Sequence, residues 1–373
     1  MKNLVFDASF CGLLSVALQA YAAPSRAQSY VIDPRPTRTV QGTAPDGVPV
    51  FGRVAGATRL GDGAIVVADG SANALRFFDA FGRVTRTVGR RGEGPGEFRQ
   101  LGWVRQCAHD SLFAFDIFPR RISVFSASGR FVRQFLAPGM PDQVACSRHG
   151  TLAILGGRGA QPPEGVTLWR RKRPLSIADT RGILTRELGD VLASEIARAP
   201  NGGWLPRLGG PRASIAVARD RVVVCPTDSD AVAAYSLTGV RRRSVPLRVP
   251  PRAPSRRDLE RLADAEVALA PPGELRDTVR QRLLRLPAPA RLPVCSNILT
   301  DPDDNLWVVL SVLGDSVTTL RVFGRDDRVL GDVSIPAALE IHEIGSDYLL
   351  ASGETPEGEP WVRMYRVRRT PAR

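Results

Sequence analysis

Asp69 and Phe78 stand nine residues apart, and so do Asp116 and Phe125; Asp69 to Gly82 and Asp116 to Gly129 are both thirteen. A self-similarity held in register over 116 − 69 = 47 residues restricts the fold more tightly than composition does. Each unit has an apolar run ending in aspartate (65–69, 112–116) and a second β segment (74–79, 122–126). A turn at the glycine and a third segment (84–88, 131–136) follow. A unit of this length carrying about four strands is the mark of a propeller blade.

Four further units diverge but keep the order. The third runs through 151–155, 175–179, Gly182 and 183–188, and the fourth through 221–225, 232–236, Gly239 and 240–245. In the fifth (305–310, 319–323, 329–335) Asp327 takes the glycine position, and the sixth (339–344, 348–352, 361–367) lacks an outermost strand. Arg38-Thr39-Val40 repeats Arg86-Thr87-Val88, so the missing strand is expected at the other end of the chain. Pairing it with the last unit closes the ring and removes the open edges of a linear array. The sequence therefore predicts an all-β, six-bladed β-propeller over residues 30–373, closed by its N-terminal strand and expected to be a monomer.

Residues 88–98 place four glycines and Pro95 between two β segments, which excludes helix or strand interior. The stretch lacks the lysine-Ser/Thr ending of a phosphate-binding loop, and a strand follows it; it reads as the joint between blades one and two. With residues 65–69 upstream, Gly-Glu-Gly-Pro-Gly-Glu-Phe (92–98) resembles the NHL-type repeat and the bacterial six-bladed β-propeller proteins, over essentially the whole mature chain. The resemblance implies the fold. It leaves function open, because some relatives are lactonases or lyases with a metal ion in the central channel and others only bind ligands or proteins.

Residues 1–22 read as an export signal, with Lys2 first, an apolar run at 10–20, and Ala20-Tyr21-Ala22 as the cleavage site. Cys11 lacks a lipoprotein box, and no later segment is apolar enough to span a membrane. The mature chain is thus expected to be periplasmic or secreted. Four cysteines remain, which permit three pairings. Cys107 and Cys146 hold near-equivalent positions in adjacent units, and Cys225 precedes Cys295 by one unit, so 107–146 and 225–295 are the expected bridges.

The net charge is +13, and of 51 basic residues only Lys2 and Lys172 are lysine. With no nucleic-acid-binding module present, this favours acidic partners rather than DNA or RNA. Long excursions (156–174, 189–212, 248–293) all fall on one face of the predicted propeller. They carry Trp169, Trp204 and the run Arg170-Arg171-Lys172-Arg173. Within a helical insertion at 250–290, Ser255 and Asp258 form a capping box, and Leu259, Leu262 and Ala263 then Leu275, Val279, Leu283 and Leu286 mark two amphipathic helices.

No nucleophile elbow, HExxH or dinucleotide fingerprint is present. Inner-strand positions hold Arg53 and Arg105, which suit an anion, and Asp142, Asn297, Glu340 and His342, which suit polar ligands. No cofactor is expected. The favoured function is an exported propeller binding an acidic ligand or protein partner on its insertion-rich face, without catalysis. The alternative is a metal-dependent lactonase- or lyase-type enzyme centred in the channel.

Overall fold

Residues 65–69 and 112–116 are short apolar runs without alternation, the pattern of a strand covered on both faces. A computed structural model describes residues 28–371 apart from 44–46, 48–49, 109, 140, 158–159, 201, 227–228, 268–273, 311–316 and 338. It places both runs second from the axis of their sheets. The signal segment 1–22 and His109 lie outside the described residues.

Strand β1 (Gln28–Gln41) belongs to the last blade. Blade one is β2 (Val54–Arg59), β3 (Ile65–Asp69), β4 (Ala74–Phe78) and β5 (Val84–Val88); blade two is β6 (Leu101–Gln106), β7 (Ser111–Asp116), β8 (Arg121–Ser126) and β9 (Phe131–Leu136). Blade three has five strands: β10 (Pro141–Cys146), β11 (Leu152–Gly156), β12 (Leu168–Ala178), β13 (Leu184–Arg198) and β14 (Trp204–Pro206). Blade four is β15 (Ala213–Val217), β16 (Arg221–Pro226), β17 (Ala231–Ser236) and β18 (Val245–Pro246). Helices α1 (Arg256–Val267) and α2 (Glu274–Leu284) follow. Blade five is β19 (Cys295–Thr300), β20 (Leu306–Leu310), β21 (Val317–Phe323) and β22 (Val329–Pro336). Blade six is β23 (Glu340–Ile344), β24 (Tyr348–Glu354), β25 (Pro360–Pro371) and then β1, in that order from the axis.

The predicted closure is therefore the observed one. Arg38 pairs with Met364 and Val40 with Val362, antiparallel, with Tyr30 and Val40 buried. Hydrophobic clusters sit between neighbouring blades; Val66 and Leu75 of blade one meet Leu101, Leu112 and Phe125 of blade two. Asp327 does adopt the left-handed turn conformation, at φ 64°, that the glycines take in other blades.

The repeated aspartate has a structural task. Asp69 Oδ1 accepts the backbone N–H groups of Ser71 (3.1 Å) and Ala72 (3.3 Å), and Asp116 accepts those of Arg99 (3.0 Å) and Gln100 (2.7 Å). Arg121, buried beside Asp116, donates to the carbonyls of Glu93 (2.7 Å) and Glu97 (2.6 Å). Gly94 N donates to Glu97 Oε2 and Phe98 N to the Arg90 carbonyl. The glycine-rich stretch is thus a joint whose polar groups are largely spent on itself. Gly89 (φ 85°) and Gly96 (φ 76°) supply the reversals that other residues resist.

Two expectations need correction. Residues 168–174 and 189–198 are not loops but the continuation of β12 and β13, a long hairpin with Trp169 opposite Ile196 and Arg173 opposite Val191. The backbone bonds of this polar stretch are satisfied by pairing, which apolar periodicity does not report. The fourth blade's outer strand, expected over 240–245, shrinks to Val245–Pro246 plus a bridge from Tyr235 to Arg241. Pro246, Pro250 and Pro251 cannot donate to a longer ladder.

The helices pack against blade three. Ala263, Val267, Leu283 and Leu286 cluster with Ala197 and Leu208, so they rest on the extended part of blade three. Arg207 ties the two together through Glu195 (2.6 Å) and the carbonyls of Pro287 (2.9 Å) and Ala288 (2.7 Å). Asp258 accepts from Ser255 and Arg252, and the Arg252 guanidinium chiefly holds its carboxyl down at about 2.

Candidate functional site

The inner strands surround a cavity of about 590 Å³ whose lining includes Arg105, Asp142, Asn297 and His342. Four of the nine residues singled out from sequence therefore meet. Arg53 and Glu340 do not line it. Glu340 opens β23 and Arg53 precedes β2, and burial pushes the Glu340 carboxyl up while the Arg53 charge pulls it down. Trp169 and Arg170 stand on β12 and Trp204 on β14, all outside the lining.

The charges on the wall are unequally matched. Asp142 pairs with Arg173 (3.0 Å), Glu343 with Arg148 (2.8 Å), Asp301 with Arg369 (3.4 Å) and Asp304 with Arg219 (3.5 Å). Every carboxylate of the lining thus has an arginine. The Arg105 guanidinium, half-buried on β6, has no hydrogen bond or ion pair among the described residues, and neither has that of Arg120 on the same wall. Burial pushes the Arg105 guanidinium down, and the Glu343 charge offsets this only in part. A half-buried guanidinium without a protein partner is a favourable contact for an anion entering the cavity.

His342 is buried on β23 with Nε2 bonded to Ser352 Oγ at 2.7 Å. Burial, helped by the Arg105 charge, lowers its pKa from 6.5 to about 3, so the ring is neutral at pH 7. A folded-state pKa below the unfolded one contributes stability that is complete above about pH 6.5 and lost as pH falls towards 3. Unfolding free energy is expected to fall by about 1.4 kcal/mol per pH unit between pH 6 and 4.5 more steeply in the wild type than in His342→Gln. Denaturant melts across that range check this; equal slopes would show that His342 titrates normally.

Sequence reasoning gave no role to Glu343, which lines the same cavity. Glu343 accepts from Thr58 Oγ1, Tyr348 OH, the Arg59 N–H (3.1 Å) and Arg148 Nη2 (2.8 Å). Burial and the Glu343 charge raise the Tyr348 hydroxyl well above its ordinary value, so it is a donor and not a base. For Arg148, burial pushes down but the Glu343 charge prevails, leaving it raised. Glu343 is saturated and holds blades one, three and six together at the turn end of the channel.

The donor set expected of a metal-dependent relative does not converge. Asp142 is bound to Arg173, Asn297 Oδ1 accepts from Ser214 (3.1 Å), and His342 holds Ser352. Among the described residues no three His, Cys, Asp or Glu side chains group as metal ligands would. Zinc needs three or four such donors and calcium six or more oxygens, so these residues do not fit either ion.

The cysteines at 107 and 146 are bonded with Cα atoms 5.7 Å apart, and those at 225 and 295 with 6.7 Å, both within the span a disulfide bridges. Each links neighbouring blades. Among the described residues, no helix is long and apolar enough to cross a membrane.

No protein-family model and no curated protein sequence matches the chain. Among solved structures, a member of the DUF4221 family from Bacteroides vulgatus is 10% identical. It aligns at a TM-score of 0.50 over 93% of this chain and 100% of its own. A candidate exported protein from Bacteroides fragilis is 12% identical, with a TM-score of 0.48 over 92% and 96% of the two chains. A virginiamycin B lyase from Staphylococcus aureus, bound to quinupristin, is 9% identical at a TM-score of 0.41 over 90% and 98%. At such identities the likeness concerns the six-bladed propeller fold alone.

Proposed function

We propose that the protein is an exported, NHL-like propeller that binds an anionic ligand in its central cavity, with Arg105 as the charged contact. The observation that carries this is the mismatch on the wall, where each lining carboxylate is paired and the Arg105 guanidinium is not. The site moves from the insertion-rich rim to the channel. Arg171 is committed to Ser194 (2.9 Å), Arg173 to Asp142 and the Gly157 carbonyl, and Arg170 donates to the Leu192 carbonyl. The metal-dependent lyase alternative falls behind because its donors are spent elsewhere. Export is supported by the apolar stretch at 10–20 and by cysteines paired between blades.

Bromide soaked into crystals of the protein tests the reading directly. An anomalous peak within hydrogen-bonding reach of Arg105 is expected. Peaks confined to the outer arginines would overturn it.

A further inference from the structure

Resting on that reading, we infer that the ligand is an amphipathic carboxylate, with its acid group on Arg105 and an aromatic or aliphatic body against blade two. The aromatic lining of the cavity is one-sided, although aliphatic residues such as Val144, Ile215 and Ile298 come from other blades. Its Trp and Phe lining, Trp103, Phe115 and Phe118, all comes from blade two, together with Ile117. Trp103 and Arg105 are i and i+2 on β6, so their side chains leave the strand on the same face. Trp103 stacks on Phe115 with ring centroids 5.7 Å apart and 24° between planes. Phe118 is 55% exposed, a large apolar ring facing water beside a cavity. A body lying on this wall is desolvated there while its carboxylate reaches a guanidinium two residues along the same strand.

The opposite side argues against a polyhydroxylated acid such as a sugar acid. Gln143 spends its amide on the β15 backbone, Nε2 to the Ala213 carbonyl and Oε1 from the Ile215 N–H. Ser214 donates to Asn297 Oδ1, which also accepts the Ile298 N–H at 2.9 Å. His342 is held by Ser352 and Glu343 by four donors. The polar wall is thus largely self-satisfied, whereas recognition of several hydroxyls demands free, placed partners. What stays available is the Arg105 guanidinium, with that of Arg120 also on the wall, and an aromatic face.

Calorimetric titration of the intact protein with four probes tests this at fixed ionic strength: 3-phenylpropionate, 3-phenylpropanol, propionate and glucuronate. The expected result is that 3-phenylpropionate binds at least tenfold more tightly than each of the others. Arg105→Met should reduce that affinity to the level of the neutral alcohol, and Phe118→Ala should weaken it by roughly tenfold while leaving propionate unchanged. Equal affinities for propionate, glucuronate and 3-phenylpropionate, all lost in Arg105→Met, would overturn the apolar body but keep the anion site. Binding of 3-phenylpropionate that survives Arg105→Met, or no binding of any acid, would overturn both readings.

Discussion

A chain that lacks residues 28–41 is expected to lose cooperative folding, whereas one that begins at residue 28 keeps it. β1 supplies the outermost strand of blade six over a register from Gln28↔Pro371 to Gln41↔Trp361. Its Tyr30 lies edge-on to Trp307 of blade five at 5.0 Å, and Val40 is packed with Phe51, Ile65 and Val362. Burying two such side chains is worth about 3–6 kcal/mol, and each ladder hydrogen bond adds about 1 kcal/mol. The sum rivals the whole stability of an ordinary domain, about 5–15 kcal/mol. The truncated chain should aggregate or melt broadly, and a peptide of residues 28–41 should restore part of the transition. An unchanged melting temperature would mean that the ring is held shut by something else.

Replacing Cys225 and Cys295 together by alanine should lower stability by about 4 kcal/mol, because the bridge closes a loop of 70 residues in the unfolded chain. That loop contains both helices, so the cross-link limits how far the insertion can stray before blades four and five meet. The bridge at 107 and 146 closes 39 residues and is expected to contribute about as much, since the entropy grows only logarithmically. Non-reducing peptide mapping followed by denaturant melts of the double variants checks both. Recovery of free thiols, or losses below about 1 kcal/mol, would remove the cross-links from the account.

The blades were legible because their signals are local. Asp69 and Asp116 recur at a fixed offset from Gly82 and Gly129, each accepting a backbone N–H seventeen residues earlier, from Gly52 and Arg99, and Arg38-Thr39-Val40 repeats an outer strand because it is one. The hairpin of blade three was not legible. Arg170 to Arg173 carry no strand-like apolar alternation, and their extended form depends on β13 and on Asp142 and Ser194 taking up their charges. Arg105 could be chosen from its place on an inner strand, but its lack of a partner could not. That depends on Glu343 being saturated by Thr58 and Arg148, 285 and 195 residues away in sequence. A site made of such distant pairings leaves no spacing to read.

The melting of Arg105→Met beside the wild type, with and without 3-phenylpropionate, tests the central claim most directly. If Arg105 is held unpaired for an anion, its replacement relieves an uncompensated charge. The variant should then be more stable than the wild type without ligand, on the order of 1 kcal/mol, and indifferent to added acid. The wild type should gain stability as the acid saturates it. A variant less stable than the wild type, and still stabilised by the acid, would contradict the account.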